Sequence, residues 1–279
     1  MLKLGDYNVL PIVRFSDHGA YLDGGEIGEI LMPKAFVLPE MKVGDEEKVF
    51  VYLDQQERLV ATKEKPLARV GDFACLRVAW TNHFGAFLDW GLMKDLFVPF
   101  SEQTIKMEVD KKYLVYIFVD QLSHRIVASA KLNRYIQPAP QEYETGREVS
   151  VLVQGKSPLG LKVIIDNRFA GLCYANQLHR FYHPGERLTG FVVKRREDGK
   201  LDISLSPLGM ERVEQFSQQL KQALIEAGGS LPFSDHSTAE EIEKRFHVSK
   251  KTFKQAIGRL YKAHLIQLSD HEIWISGED

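Results

Sequence analysis

Up to about residue 206 the apolar positions come in short runs, such as Lys48-Val49-Phe50-Val51-Tyr52-Leu53, Tyr113-Leu114-Val115-Tyr116-Ile117-Phe118 and Leu188-Thr189-Gly190-Phe191-Val192-Val193. Each is rich in β-branched and aromatic residues, is bounded by Gly, Pro, Asp or Asn, and is too short for a helix, which is the pattern of a strand. About five such runs fall in each 60 to 65 residues, so a small closed barrel is expected, because closure removes the edges that a flat sheet would expose. The barrel repeats. Gly5, Gly71 and Gly146 open three segments that align without gaps over about forty positions; Gly19, Gly85 and Gly160 each lie 14 residues later, and Gly44, Asp110 and Gly185 mark a third shared turn.

After Ser206-Pro207 the period changes from two to about 3.6. Val213, Phe216, Leu220, Leu224 and Ala227 form one stripe, ended by Gly228-Gly229. Thr238-Ala239-Glu240-Glu241 is a capping box for a second helix running to about Phe246. Ser249 caps a third, whose core face is expected to be Phe253, Ile257, Leu260 and His264 or Leu265. Two short strands then surround a Ser-Asp-His turn, so the segment reads as a helix-turn-helix with a wing. The resulting division is 1–65, 66–137 and 138–207 for the barrels, the third divergent, and 208–279 for the winged helix.

The chain has 279 residues and a formal net charge of −2, so no global basic excess announces a nucleic-acid partner. The charge is uneven, however. Residues 1–65 and 208–279 are acidic on balance, whereas 66–137 and 138–207 are basic, which makes the middle the better electrostatic candidate. Cys75 and Cys173 stand far apart in apolar stretches and read as buried free thiols. No leader-like start and no apolar run of about 18 residues is found, which predicts a cytoplasmic protein without a membrane partner. No P-loop, H-E-x-x-H, G-x-S-x-G or metal-spaced Cys/His set appears, so neither enzyme, metal site nor cofactor is expected.

The segment Phe84-Gly85-Ala86-Phe87, its weaker form His18-Gly19-Ala20-Tyr21, and the final-strand motifs Arg58-Leu59-Val60-Ala61 and Arg125-Ile126-Val127-Ala128 resemble S1 domains, a branch of the OB fold. The resemblance implies a mainly β protein of three tandem OB-fold, S1-like barrels before an α+β winged helix. It also implies RNA contacts at the two aromatic positions of the second strand, at an acid before the last hairpin and at the Arg after it. In this chain these are His18, Tyr21, Asp54 and Arg58, and then Phe84, Phe87, Asp120 and Arg125. Single strands need flat rings for bases and cations for phosphates, and both are present. The bland alternative is that such rings fill the barrel: Phe84 and Phe87 are three positions apart, so strict alternation puts one of them inside unless a bulge at Gly85 turns the strand.

The third unit departs from the pattern, with Leu159 and Lys162 at the aromatic positions and Arg195 at that of the acid. It offers instead Tyr174, Arg180, Phe181 and Tyr182, with Lys194, Arg195, Arg196 and Lys200, a basic and aromatic mixture. The default reading of Lys194-Arg195-Arg196 is a solvated hairpin tip. In the winged helix Lys250, Lys251 and Lys254 lie in a stretch from His247 to Ser269 without an acid, suited to a phosphate backbone. Nearly the whole chain resembles the bacterial conserved virulence factor B family, on the order of its domains and on Val248-Ser249-Lys250-Lys251-Thr252-Phe253-Lys254. This implies a non-enzymatic protein that binds single-stranded RNA in the regulation of gene expression, with the ribosome or RNA-processing machinery as wider partners. The competing reading is a transcription regulator whose winged helix holds duplex DNA while the barrels bind a partner or effector.

Overall fold

A computed structural model describes residues 2–178, 180–206 and 209–276, the side chains of 210–212 excepted, so the expected boundary at 207/208 lies outside the described residues. Each repeat folds as a closed five-stranded barrel. The first comprises β1 (Asp6–Ser16), β2 (Gly19–Asp23), β3 (Glu29–Pro33), β4 (Glu46–Leu53) and β5 (Leu59–Thr62). The second comprises β6 (Phe73–Thr81), β7 (Gly85–Asp89), β8 (Leu96–Pro99), β9 (Lys112–Val119) and β10 (Ile126–Ser129). The third comprises β11 (Glu148–Ser157), β12 (Gly160–Ile165), β13 (Phe169–Tyr174), β14 (Arg187–Arg195) and β15 (Leu201–Ser204). The third strand of each barrel meets the fifth in parallel, at Leu31 with Val60, Val127 with Phe97 and Gly171 with Leu201, and this closes the sheet.

The aligned anchors have mechanical roles. The N–H groups of Gly5, Gly71 and Gly146 donate to the carbonyls of Val51, Ile117 and Val192, and those of Gly44, Asp110 and Gly185 to Ile12, Val78 and Val153, all within 2.7–2.9 Å. Both sets lock the first strand against the fourth. At Gly19, Gly85 and Gly160 a Cβ would lie 2.1, 2.2 and 2.1 Å from the carbonyl oxygens of Met32, Val98 and Cys173, so only glycine lets the second and third strands approach.

Strands with one wet face alternate: Ala86 and Leu88 are inside the second barrel and Phe87 is outside. Other stretches bury both faces. Val49, Phe50, Val51 and Tyr52 are consecutive and all buried, because Phe50 and Tyr52 point out of the first barrel into a cluster with Ala68, Trp90 and Leu92 of the second. Phe50 meets the Trp90 ring edge-on at 6.0 Å. Leu152 and Ile164 likewise leave the third barrel to pack on Phe73, Leu114 and Leu132 of the second. Asn167 clamps that junction, accepting from the Phe73 N–H at 2.9 Å and donating to Asp72 Oδ1 at 3.0 Å.

The C-terminal domain consists of α1 (Met210–Glu226), β16 (Ser230–Leu231), α2 (Ala239–Phe246), α3 (Lys250–Lys262), β17 (Ile266–Leu268) and β18 (Ile273–Ile275), with sheet order β16-β18-β17. The capping box is formed at Thr238 and Glu241, and Ser249 caps α3. Two expected core positions are corrected. Ala227 is exposed, because α1 ends at Glu226. His264 and Leu265 are also outside, since α3 stops at Lys262 and His264 turns to φ 56°; Ala256 occupies the core instead. Strand β16 is too short for the apolar pattern to reveal. Cys173 is buried as expected, and burial pushes its thiol up to about 12, whereas Cys75 is only partly buried.

Candidate nucleic-acid interface

The first strand of every barrel contains a bulge, between Ile12 and Arg14, Val78 and Trp80, and Val153 and Gly155. The extra residue re-aims the strand beyond it, so the next side chain stands outside the barrel, opposite the outward residue of the second strand. The resulting pairs are Arg14 with Tyr21, Trp80 with Phe87, and Gly155 with Lys162. One geometry thus carries three chemistries.

In the second barrel the pair is a stack, with ring centroids 3.6 Å apart and planes 5° from parallel. Phe97 extends it, 4.9 Å from Phe87, and the Trp80 indole N–H donates to Asp95 Oδ2 at 2.8 Å. Phe84 stands beside this with 61% of its surface exposed. The rings line an apolar groove of about 820 Å³ with Lys94 and Arg125 at its rim, and the β4–β5 turn of the first barrel, through Gln55 and Glu57, forms a wall. Neither Phe84 nor Phe87 is core. Phe84 precedes β7 in a turn held by Asn82, whose side-chain oxygen accepts from the N–H groups of Phe84 and Gly85, and the bulge is on the partner strand rather than at Gly85.

The hairpin acids are structural caps. Asp120 accepts from the Ser123 hydroxyl at 2.7 Å and from its N–H at 2.9 Å, bonds that hold the carboxyl below its ordinary range. Burial pushes Asp54 up, but hydrogen bonds from the Arg58 and Gln56 backbone and from the Arg58 guanidinium outweigh it and leave the carboxyl lowered. Arg58 is therefore occupied by Asp54 at 2.7 Å. Arg125 reaches across to Glu57 of the first barrel at 2.5 Å, and Lys94, its ammonium pushed down by burial, donates to the Asp54 carbonyl at 2.7 Å.

In the first barrel His18 is exposed in the β1–β2 turn and Tyr21 lies under the Arg14 guanidinium, 3.6 Å from its centre. Arg14 in turn pairs with Glu29 at 2.6 Å. The equivalent face of the third barrel is a groove of about 760 Å³ that includes Leu159, Lys162, Arg196 and Lys200. Lys194 and Arg195 end β14 rather than forming a hairpin tip. Arg195 donates to the Ala139 carbonyl at 2.8 Å, and Arg196 pairs with Asp202 at 2.5 Å and donates to the Tyr174 hydroxyl at 3.0 Å. Lys194 is exposed, and Lys200 pairs with Asp198 at 2.7 Å. Arg180 covers the half-buried Tyr182 at 4.1 Å and is paired with Glu186, while Phe181 is 77% exposed. On α3, Lys250 and Lys251 open the helix and Lys254 lies 3.9 Å from Asp235.

Sequence reasoning missed Trp80, Phe97, Lys94 and Glu57. Alternation alone gives Trp80 no partner; placing it requires counting back across the Asn82-His83 turn from Phe87 and allowing one bulge residue.

Residues 218–275 match the CvfB-like winged helix domain and residues 4–64 the S1 domain. Along its length the chain is similar to the Bacillus subtilis protein YitL, 28% identical over 280 residues that cover 94% of this chain and 90% of that one. It is also similar to conserved virulence factor B of Staphylococcus saprophyticus, 27% identical over 84% of this chain and 81% of the relative. A solved multidomain protein with nucleic acid binding domains from Streptococcus pneumoniae aligns over 98% of both chains at 24% identity, with a TM-score of 0.41. The resemblance read from the sequence thus recurs in the C-terminal domain, in the first barrel and in relatives of similar length. S1 domains and winged helices are nucleic-acid-binding types.

Proposed function

We propose that the chain is a non-enzymatic, cytoplasmic protein that binds single-stranded RNA through its S1-like barrels, helped by the winged helix, in post-transcriptional regulation of gene expression. The observation that carries this reading is the open aromatic groove of the second barrel, where Trp80, Phe84, Phe87 and Phe97 gather beside Lys94 and Arg125. Unstacked bases rest on such rings, and Arg125, half-exposed and held only by Glu57, is the rim cation that can turn to a phosphate. The third barrel adds Lys162 and Lys200 on its equivalent face. The S1 match over 4–64 supports a nucleic-acid role, and the ribosome or RNA-processing machinery is the assembly such a protein would serve. Among the described residues no helix is long and apolar enough to cross a membrane.

A second reading is favoured by α3, whose first turns present Lys250, Lys251 and Lys254: the winged helix would hold duplex DNA, with the barrels as partner modules. Labelled single-stranded RNA, single-stranded DNA and duplex DNA of equal length, compared at one salt concentration, separate the two. Tightest binding to single-stranded RNA is expected. Duplex binding as tight or tighter would transfer the function to the winged helix.

A further inference from the structure

The residue after each bulge decides whether a barrel face is open to a base. In the first barrel that residue is Arg14; its guanidinium lies on Tyr21 and its charge is spent on Glu29, so the ring is already covered and the cover is neutralised. In the third it is Gly155, and Lys162 opposite it has no ring to offer. In the second it is Trp80, which lies flat on Phe87 with one face and remains 44% exposed. Phe87 has Trp80 on one side and Phe97 on the other and is only partly exposed, so of the stacked pair the indole offers the larger open surface to a base. The indole N–H is taken by Asp95, which fixes the plane of the ring and leaves it no donor for a base edge. A large π-face held rigid and without hydrogen-bonding capacity accepts any base by stacking alone.

We propose that Trp80 is the base-stacking platform of this chain, taking an unpaired nucleobase of a single strand on its outer face without sequence preference, and that Tyr21 in the first barrel takes none. This rests on the single-strand reading above and deepens it. Phe87 then supports the platform from beneath.

The test uses the full chain and its own fluorescence, titrated with an RNA strand of about 12 nucleotides, within the span that one OB fold covers, and with the DNA strand of the same sequence. Of the three tryptophans, Trp90 is buried at 3% exposure and Trp274 is partly exposed in β18 of the winged helix, so Trp80 should carry the largest share of the quenching on binding, and Trp80→Phe should lose that share. Trp80→Ala should lose about 5- to 150-fold in affinity, the loss of one stacked base, while Trp80→Phe retains most binding and Tyr21→Ala retains all of it. Circular dichroism of each variant checks the fold. Unimpaired binding by a folded Trp80→Ala, quenching undiminished in Trp80→Phe, or an equal loss in Tyr21→Ala overturns the platform. Equal affinity for the RNA and DNA strands, both dependent on Trp80, removes the preference for RNA and leaves the platform standing. If RNA is preferred but Trp80 does not matter, the opposite holds; if neither strand binds, both fall.

Discussion

Arg125 and Glu57 form an ion pair at the rim of the second barrel's groove, with nitrogen and oxygen 2.5 Å apart and the side chains 52% and 45% exposed. Two unit charges at that separation attract by about 1.7 kcal/mol in bulk water. Ordering two half-exposed side chains offsets much of this, which leaves at most about 1 kcal/mol for stability. Arg125→Ala and Glu57→Gln should therefore unfold within about 1 kcal/mol of the parent. On RNA the two should act in opposite directions. Removing the arginine deletes a cation that can neutralise one phosphate, so the slope of log K against log salt should flatten by about 0.7. The affinity gap to the parent should then widen about fivefold for each tenfold dilution of salt. Glu57→Gln frees the guanidinium and removes a repulsive carboxylate, so it should tighten binding, most at low salt. The double variant should bind more tightly than Arg125→Ala, because the repulsive carboxylate is gone, but less tightly than Glu57→Gln, because the freed guanidinium is gone too. Fluorescence anisotropy across a salt series with a labelled RNA strand, together with urea unfolding, gives both quantities. A parent-like salt slope for Arg125→Ala, or weaker binding by Glu57→Gln, would refute the reasoning.

The packing and the caps give three further expected outcomes. Phe50→Ala removes a fully buried ring at the junction of two barrels and should cost about 3–5 kcal/mol, with hydrogen-exchange protection falling in both the first and second barrels rather than in the first alone. Asp54 and Asp120 both have folded pKa values below their unfolded ones, so the stability they give is present above about pH 3.9 and is lost as pH falls through the folded values. Amide exchange in the β4–β5 and β9–β10 turns should rise in that acid window, and Asp120→Asn should abolish the rise in the second turn only. Thr238→Ala should destabilise the C-terminal domain by about 1 kcal/mol by removing the acceptor for the Glu241 N–H, as thermal unfolding would show.

The repeat was legible because its glycines are required by backbone geometry: a Cβ at Gly19, Gly85 or Gly160 collides with a carbonyl, so the spacing survives where the side chains around it diverge. The capping box at Thr238 was legible for a similar reason, being a local hydrogen-bond pattern. What alternation could not reveal is where a strand slips by one residue. The bulge at Ala79 puts Trp80 outside the barrel, and nothing in Val78-Ala79-Trp80-Thr81 announces it. Contacts between barrels were equally hidden, since Phe50 and Leu152 look like ordinary core residues and prove to serve a neighbour. Charge misled in the third barrel. Arg195 and Arg196 are cationic in the sequence but hold Ala139, Asp202 and Tyr174 in the structure.

The outward Phe50 and Tyr52 also set a condition on synthesis. The first barrel is complete at Thr62, yet the surface that covers those two rings is not finished until Ser129 closes the second. At a translation rate of about 5–20 residues per second, roughly 3–13 seconds separate the two events. Throughout that interval the emerging chain presents a pair of bare aromatic rings to the cell. Nascent chains arrested near residue 100 should therefore be bound by a chaperone that recognises exposed hydrophobic segments far more than chains arrested past 160, and Phe50→Ser with Tyr52→Ser should erase the difference.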